Sequence, residues 1–469
     1  MTEPAFFPST HWAVEAPQRT AIVWEKGDST YLDFLPSTLS WQRWHQLVAQ
    51  AVTFLHDLGA KQNYLLAYLG THRLCGVLCY SAAIAMGARI LMLNPAMTVS
   101  QRQTILAENV VDVLITEDDF AKFNADLTAC QLASWDSSTP STLTLTSGSS
   151  STPKAVVHTA RQHLANAVGV CEFMQFGAEN SWLLSLPLFH VSGQGIVWRW
   201  LSVGATLFIS EDKDNFWQML AQVSHASLVP TQLQRYLAQL ASSVRLSQHI
   251  LLGGAAIPAE LIARAQQYQI STYAGYGMTE AASTICAAKG DTDNVGKPLR
   301  GREVRIVEGE IRIRGGCLAL GYWQQGKIVP LPNTDGWFPT KDKGRWNSDG
   351  NLVVLGRLDN MFISGGENIQ PEEIERVLSG CEQVNNVIIV PYQDDEFGER
   401  PVAFVEFVGG FHLQAVTLLQ HFAKMHLEKF KQPIRYLPLD QETWQSSGIK
   451  VSRTQLKAYA AKILREHND

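Results

Sequence analysis

A run of small hydroxyl residues, Thr146-Ser147-Gly148-Ser149-Ser150-Ser151-Thr152, leads into Pro153 and Lys154. Glycine and short side chains leave backbone N–H groups and hydroxyls free to converge on anionic oxygens, and Lys154 adds a point charge. That combination suits a polyphosphate. It is not a Walker A loop, because no glycine immediately precedes the lysine and Pro153 removes a donor; taken alone, a Ser/Thr-rich linker fits equally well. A second group lies in Gly275-Tyr276-Gly277-Met278-Thr279-Glu280. There, two glycines allow backbone to approach a ligand, Tyr276 offers a flat face for a purine, and Thr279 can bond a phosphate. Glu280 is a hard oxygen ligand suited to Mg²⁺. Asp342 is a lone carboxylate of the kind that accepts two hydrogen bonds from ribose hydroxyls, and Arg357 can meet the ribose or a phosphate.

These residues need elements to position them. Trp41–Leu58 has apolar residues at helical spacing and stops at Gly59. Tyr64–Leu69 and Arg89–Leu93 read as short buried strands around a helix. Ser134–Thr142 reads as a surface connection before the hydroxyl-rich loop. Beyond it, Trp182–Leu186 and Ala226–Val229 are strand-like and His190–Leu201 is helix-like. Thr231–Leu240 reads as a helix capped by Thr231, and a further helix starts at Pro258. Strands alternating with helices at these lengths predict layered α/β sheets. Val304–Arg314 is a hairpin around Glu308-Gly309-Glu310, followed by polar, Gly-rich sequence to Gly350 and a short strand Leu352–Leu355. Past Gly356-Arg357-Leu358-Asp359, a compact α+β pattern of domain size begins.

Length and composition bound the rest. At 469 residues the chain exceeds one core and should divide into domains. With 46% apolar and 17% charged residues it reads as a globular enzyme, and a net charge of −6 argues against a nucleic-acid partner. Seven cysteines without Cys-x-x-Cys spacing point to reduced thiols in the cytoplasm rather than to zinc or disulfides. No signal peptide is read at the N-terminus, and no apolar run is long enough for membrane insertion. A homo-oligomer is compatible with this composition.

The order of the pieces is more specific than any one of them. Thr146–Lys154, Gly275–Glu280, Asp342, Gly356–Asp359 and Ser447-Gly448-Ile449-Lys450-Val451-Ser452-Arg453 together resemble the adenylate-forming superfamily of acyl-CoA synthetases, adenylation domains and luciferases. Within it, Ser185–Trp200, His225–Gln232, Leu252–Pro258 and Gly356–Glu367 are most similar to the 2-succinylbenzoate–CoA ligases of menaquinone biosynthesis. The resemblance implies an N-terminal domain (1–356) binding ATP and the acyl substrate, and a mobile C-terminal domain (357–469) hinged near Asp359. It implies ATP, Mg²⁺ and CoA as partners, with a small carboxylic acid first adenylated and then passed to the CoA thiol.

By the same resemblance, Thr146–Lys154 cradles phosphates, and Gly254, Ala255, Tyr276 and Gly277 surround the adenine. Thr279 contacts the α-phosphate, Glu280 holds the metal, and Asp342 and Arg357 bind ribose. Lys450 reaches the reacting carboxylate, His190 gates the acyl pocket, and Gly365 and Gly366 line the pantetheine tunnel. Arg199 lies between Trp198 and Trp200 in an apolar helical run, where an unpaired charge is costly. It suits the second carboxylate of a dicarboxylic substrate, with Ser227 and Thr231 as added donors; a solvent-facing arginine packed on tryptophan is the alternative. Another aryl- or acyl-CoA ligase, a stand-alone domain that loads a carrier protein, and a non-catalytic nucleotide-binding regulator stay open at this level. Two departures stand out. Ser151 and Ala155 replace family glycines, and Ile449 replaces the glycine before the lysine. If position 151 needs a positive φ, serine there costs ~1–2 kcal/mol and weakens triphosphate binding.

Overall fold

The computed structural model describes residues 6–27, 31–124, 127–132, 134–146, 153–212, 214–254, 257–364, 367–394, 397–439 and 452–466. Among these, the strands form four sheets with helices packed between and around them, the layered α/β arrangement that the alternation of elements predicts. A seven-stranded sheet orders Lys327–Pro330, Gly321–Gln324, Lys154–Thr159, Pro140–Thr146, Arg89–Leu93, Leu65–Leu69 and Val113–Thr116. A nine-stranded sheet has parallel strands Ser271–Met278, His249–Leu252, His225–Leu228, Ser181–Leu183, Thr206–Ser210 and Thr20–Glu25 at its centre. The helix Arg73–Ala85 shows why these two sheets hold together. Every residue from Leu74 to Ala85 is buried, as expected of a helix apolar on all sides.

The helix Trp41–Asp57 forms where its apolar spacing places it, capped by Ser40, whose side chain accepts from the Arg43 N–H. The helix Val191–Val203 begins after His190 and ends at Gly204, a left-handed terminator (φ 65°). The hairpin Arg302–Val307 and Glu310–Gly315 turns at Glu308 and Gly309, both at positive φ, the conformation a two-residue turn needs. This hairpin joins Phe338–Trp346 and Leu352–Arg357 in a four-stranded sheet. The strand Leu352–Arg357 runs through Gly356, and Asp359 follows two residues later. After it, Val384–Asp394 and Gly398–Phe407 pair over ten positions and carry the helices Pro371–Leu378, Leu413–His426 and Arg453–Glu466.

Three expectations are corrected. Thr231 does not cap its helix; the helix Pro230–Gln239 starts with proline at its first position after Val229, where the missing N–H costs nothing. The Ser134–Thr142 stretch is not merely a surface connection: Ser141 and Thr142 are buried in the strand Pro140–Thr146, and Thr142 Oγ1 bonds His163 Nε2 at 2.8 Å. The polar, Gly-rich stretch before Gly350 holds three strands, Gly321–Gln324, Lys327–Pro330 and Phe338–Trp346.

Candidate active site

The strand Pro140–Thr146 and the strand Lys154–Thr159 pair antiparallel, with Thr146 opposite Lys154. Thr146 Oγ1 donates to the Lys154 carbonyl at 3.3 Å. The hydroxyl-rich turn they enclose, Ser147–Thr152, lies outside the described residues, but its two ends are held side by side. Lys154 is exposed, and its Nζ sits 5.2 Å from the centroid of the Tyr322 ring. Tyr322 in turn donates to Glu280 Oε1 at 3.0 Å. The Glu280 carbonyl accepts from the Ala319 N–H at 2.8 Å. Residues from three distant stretches therefore converge, and the lysine and the glutamate predicted for phosphates and metal share one neighbour. Thr279 and Glu280 form a single helical turn at the end of the strand Ser271–Met278.

That strand also carries Tyr276, whose hydroxyl donates to Asp342 Oδ2 at 2.6 Å. Burial, with the Asp342 charge adding to it, pushes the Tyr276 phenol far above its ordinary range, so it stays protonated and donating. Asp342 Oδ1 accepts from Arg357 Nη1 at 3.2 Å. Asp342 and Arg357 face each other across the strands Phe338–Trp346 and Leu352–Arg357. Arg357 also grips Asp359 with two bonds, Nε to Oδ1 at 2.8 Å and Nη2 to Oδ2 at 3.0 Å. The hydrogen bond from Arg357 holds Asp359 below the usual carboxylate range. The predicted ribose pair and the predicted hinge residue are thus one connected chain of charges. Gly277 is required where it stands: a Cβ there would lie 2.1 Å from the Ser283 carbonyl oxygen. Gly254, at φ 86°, turns the chain just after the strand His249–Leu252. Ala255, Gly365, Gly366 and Lys450 lie outside the described residues.

The residues predicted for the acyl substrate centre on the helix Val191–Val203. Trp198 Nε1 donates to the Tyr80 hydroxyl at 2.8 Å, and Trp200 Nε1 donates to the Ala21 carbonyl at 2.9 Å. Two large anchored rings fix the helix on both sides of Arg199. Arg199 is 1% exposed, which removes the solvent-facing alternative. Its Nη1 and Nη2 reach Ser227 Oγ and Ser283 Oγ, each at 3.3 Å, and its guanidinium lies 4.9 Å from the Trp182 ring centroid. Among the described residues no carboxylate pairs with it, and its buried Nε has no hydrogen-bond partner. Burial pulls its pKa down to about 10, which still leaves it charged near neutral pH. His190 precedes this helix, its ring 4.7 Å from that of Phe189. Thr231 is half-buried at the second position of the neighbouring helix.

Two residues escaped the sequence reading. Ser283 lies opposite Met278 in the strand pair that carries Tyr276, so it connects Arg199 to the strand of the predicted nucleotide residues; no sequence pattern marks it. Tyr322 had a usable signal, since Gly321-Tyr-Trp-Gln and Lys327-Ile-Val-Pro330 flank a Gln-Gly turn. A metal would find one carboxylate here. Among the described residues no cluster of three potential ligands exists, and a single Glu280 with phosphate oxygens fits Mg²⁺ rather than a protein-caged ion.

Known proteins match this chain over most of its length. A family model described as AMP-binding enzyme matches residues 119–323. The 2-succinylbenzoate–CoA ligase of Haemophilus influenzae is 47% identical over 428 residues, covering 90% of this chain and 93% of that protein. An arginine-to-lysine variant of E. coli MenE with bound OSB-AMS superposes with a TM-score of 0.84 at 36% identity, covering 98% of this chain and 99% of that one. The o-succinylbenzoate coenzyme A synthetase of Bacillus subtilis, solved in complex with ATP and magnesium ion, shares the fold with a TM-score of 0.79 at 24% identity, over 96% of this chain and 99% of that one.

Proposed function

The chain belongs to the 2-succinylbenzoate–CoA ligase family of AMP-binding enzymes, and from that premise we propose how its residues divide the work of adenylating 2-succinylbenzoate and transferring it to CoA. In the first half-reaction one carboxylate oxygen of the substrate attacks the α-phosphorus of ATP, and pyrophosphate leaves. In the second, the CoA thiolate attacks the acyl carbon and AMP leaves, giving the thioester. Positioning and stabilisation of charge are the main protein contributions.

The order of the motifs supports the assignment of residues, and the contacts among Lys154, Tyr322, Glu280, Tyr276, Asp342 and Arg357 support its described part. Thr146, the turn Ser147–Thr152 and Lys154 hold the β- and γ-phosphates. Thr279 meets the α-phosphate. Glu280 takes Mg²⁺, which when bound neutralises phosphate charge. Tyr276 lies beside the adenine with Gly254, Ala255 and Gly277, while Asp342 and Arg357 take the ribose. Lys450, in the second domain from residue 357, brings its cation to the crowded negative charge of adenylation and leaves when that domain turns about Asp359. Gly365 and Gly366 then border the pantetheine path, and His190 borders the acyl pocket. Small molecules are the partners. No helix among the described residues is long and apolar enough to cross a membrane, and seven cysteines outside disulfides fit a reducing cytoplasm.

The observation that carries the substrate is Arg199. A buried guanidinium met, among the described residues, by hydroxyls and a ring and by no carboxylate is an incomplete anion site, and the second carboxylate of 2-succinylbenzoate completes it, with Ser227 and Thr231 alongside. ATP–pyrophosphate exchange across a panel of acids, followed by thioester formation with free CoA, tests this. Exchange is expected with 2-succinylbenzoate far above plain monocarboxylates. Equal exchange with both, or acyl transfer that ignores free CoA, contradicts it.

A further inference from the structure

We propose that Tyr322 is a positioning residue of the ATP site, holding the Glu280 carboxylate through its hydroxyl and the Lys154 ammonium through its ring. This rests on the assignment of Lys154 and Glu280 to triphosphate and magnesium. Tyr322 belongs to the strand Gly321–Gln324, which pairs antiparallel with Lys154–Thr159, setting Tyr322 opposite Val156 and Trp323 opposite Ala155. Its neighbours are pinned. The Leu320 N–H donates to the Val157 carbonyl at 2.9 Å and the Ala319 N–H to the Glu280 carbonyl at 2.8 Å. Trp323 Nε1 donates to the Asn109 carbonyl at 2.7 Å. The residues before and after Tyr322 are therefore tied to the phosphate strand, to the Glu280 turn and to the helix Val99–Asn109.

The side chain uses that fixed backbone in two ways. Its hydroxyl donates to Glu280 Oε1 at 3.0 Å, and its face lies 5.2 Å from Lys154 Nζ. Among the described residues Lys154 and Glu280 form no direct ion pair, although both touch the same ring. A direct pair would have to be broken before the cation could meet phosphate and the carboxylate could meet metal. A phenol satisfies both ends with weaker, neutral contacts. It leaves Glu280 Oε2 for the metal and the lysine ammonium for phosphate oxygens. The site is thus held open and oriented, which lowers the ordering cost of binding.

The test uses the full chain and α,β-methylene-ATP, titrated calorimetrically with and without Mg²⁺. Tyr322→Phe keeps the ring and removes the hydroxyl, so the Mg²⁺ concentration for half-maximal effect should rise about tenfold while metal-free nucleotide affinity stays within twofold. Tyr322→Leu removes the ring as well and should also weaken metal-free binding several-fold. Glu280→Gln serves as the reference and should abolish the Mg²⁺ effect. If Tyr322→Phe leaves the Mg²⁺ midpoint unchanged while Glu280→Gln shifts it, Tyr322 is only structural and the proposal falls alone. If Glu280→Gln has no effect on Mg²⁺ dependence, the assignment of Glu280 falls and takes the proposal with it.

Discussion

A half-buried arginine and a fully buried one are met in opposite ways in this molecule. Arg453 begins the last helix, three residues after Lys450. Its Nη1 donates to Glu375 Oε1 and to the Ile389 carbonyl, each at 2.5 Å, and its Nη2 reaches Glu375 Oε2 at 3.1 Å and Glu372 Oε1 at 3.3 Å. Burial works to lower its pKa, but Glu375 and Glu372 outweigh it and raise the value. Arg199 has two serine hydroxyls and a tryptophan face, and its pKa falls. A charge neutralised by its own domain does structural work. A charge desolvated without an internal counterion is stable only in a site made for an external one. The first arginine ties the start of the helix Arg453–Glu466 to Glu375 and to the Ile389 carbonyl, and the second is the one we assign to substrate.

The comparison sharpens most at Arg453. Arg453→Met leaves the largely covered Glu375 without its cation, and stability measured by denaturant unfolding should fall by about 3 kcal/mol. Arg199→Met should do the reverse, with stability equal or higher because a desolvated charge is gone. Its kcat/KM for 2-succinylbenzoate should drop about 100-fold, or about 2.7 kcal/mol, the scale of a lost charged hydrogen-bond pair. Destabilisation by Arg199→Met comparable to that of Arg453→Met would erase the distinction. Asp342 tests the intermediate case, a carboxylate already met inside the protein by Tyr276 and Arg357. Tyr276→Phe removes the 2.6 Å bond to it and should raise the KM for ATP roughly fivefold, about 1 kcal/mol, with the KM for the acid little changed.

The smallest effect is expected at a carboxylate buried without a full counterion. Glu211 accepts from the Arg73 and Leu74 N–H groups at 2.7 and 2.8 Å and lies 3.2 Å from His72 Nδ1. Burial pushes Glu211 up to about 7 and His72 down to about 4. For Glu211 the folded value is raised, so its stabilising contribution is full below the ordinary carboxylate range near 4.5 and is lost as pH rises through 7. For His72 the folded value is depressed, so its contribution is present above 6.5 and lost as pH falls toward 4. In Glu211→Gln only the histidine dependence remains. The melting temperature of the variant should therefore gain on that of the parent between pH 5 and 8. A pH-independent difference would place the Glu211 proton elsewhere.

How far these features were legible in the sequence depends on where the inward-facing residues are apolar. The helices Trp41–Asp57 and Val191–Val203 stand out because, apart from Gln50, Gln194 and Arg199, their buried faces are hydrocarbon and aromatic. The hairpin at Glu308-Gly309 announces itself through turn chemistry. The strand Phe338–Trp346 does not, since its buried positions include Thr340 and Asp342, and alternation of hydrophobicity is invisible when polar residues occupy the inward face. The same applies to Ser141 and Thr142, whose burial is compensated by hydrogen bonds such as that to His163. Motif order singled out Lys154, Glu280, Asp342 and Arg357 without geometry. Ser283 and Tyr322 needed it, because each gains its meaning from a partner far away in the chain.

The central claim is that Arg199 waits for the carboxylate that is not activated. A double-mutant cycle measures this directly: parent and Arg199→Met, each assayed by ATP–pyrophosphate exchange with 2-succinylbenzoate and with the monocarboxylate analogue that keeps only the activated carboxylate. A coupling of about 2 kcal/mol between the guanidinium and the second carboxylate is predicted. Additive losses, with the variant impaired equally on both acids, would contradict it.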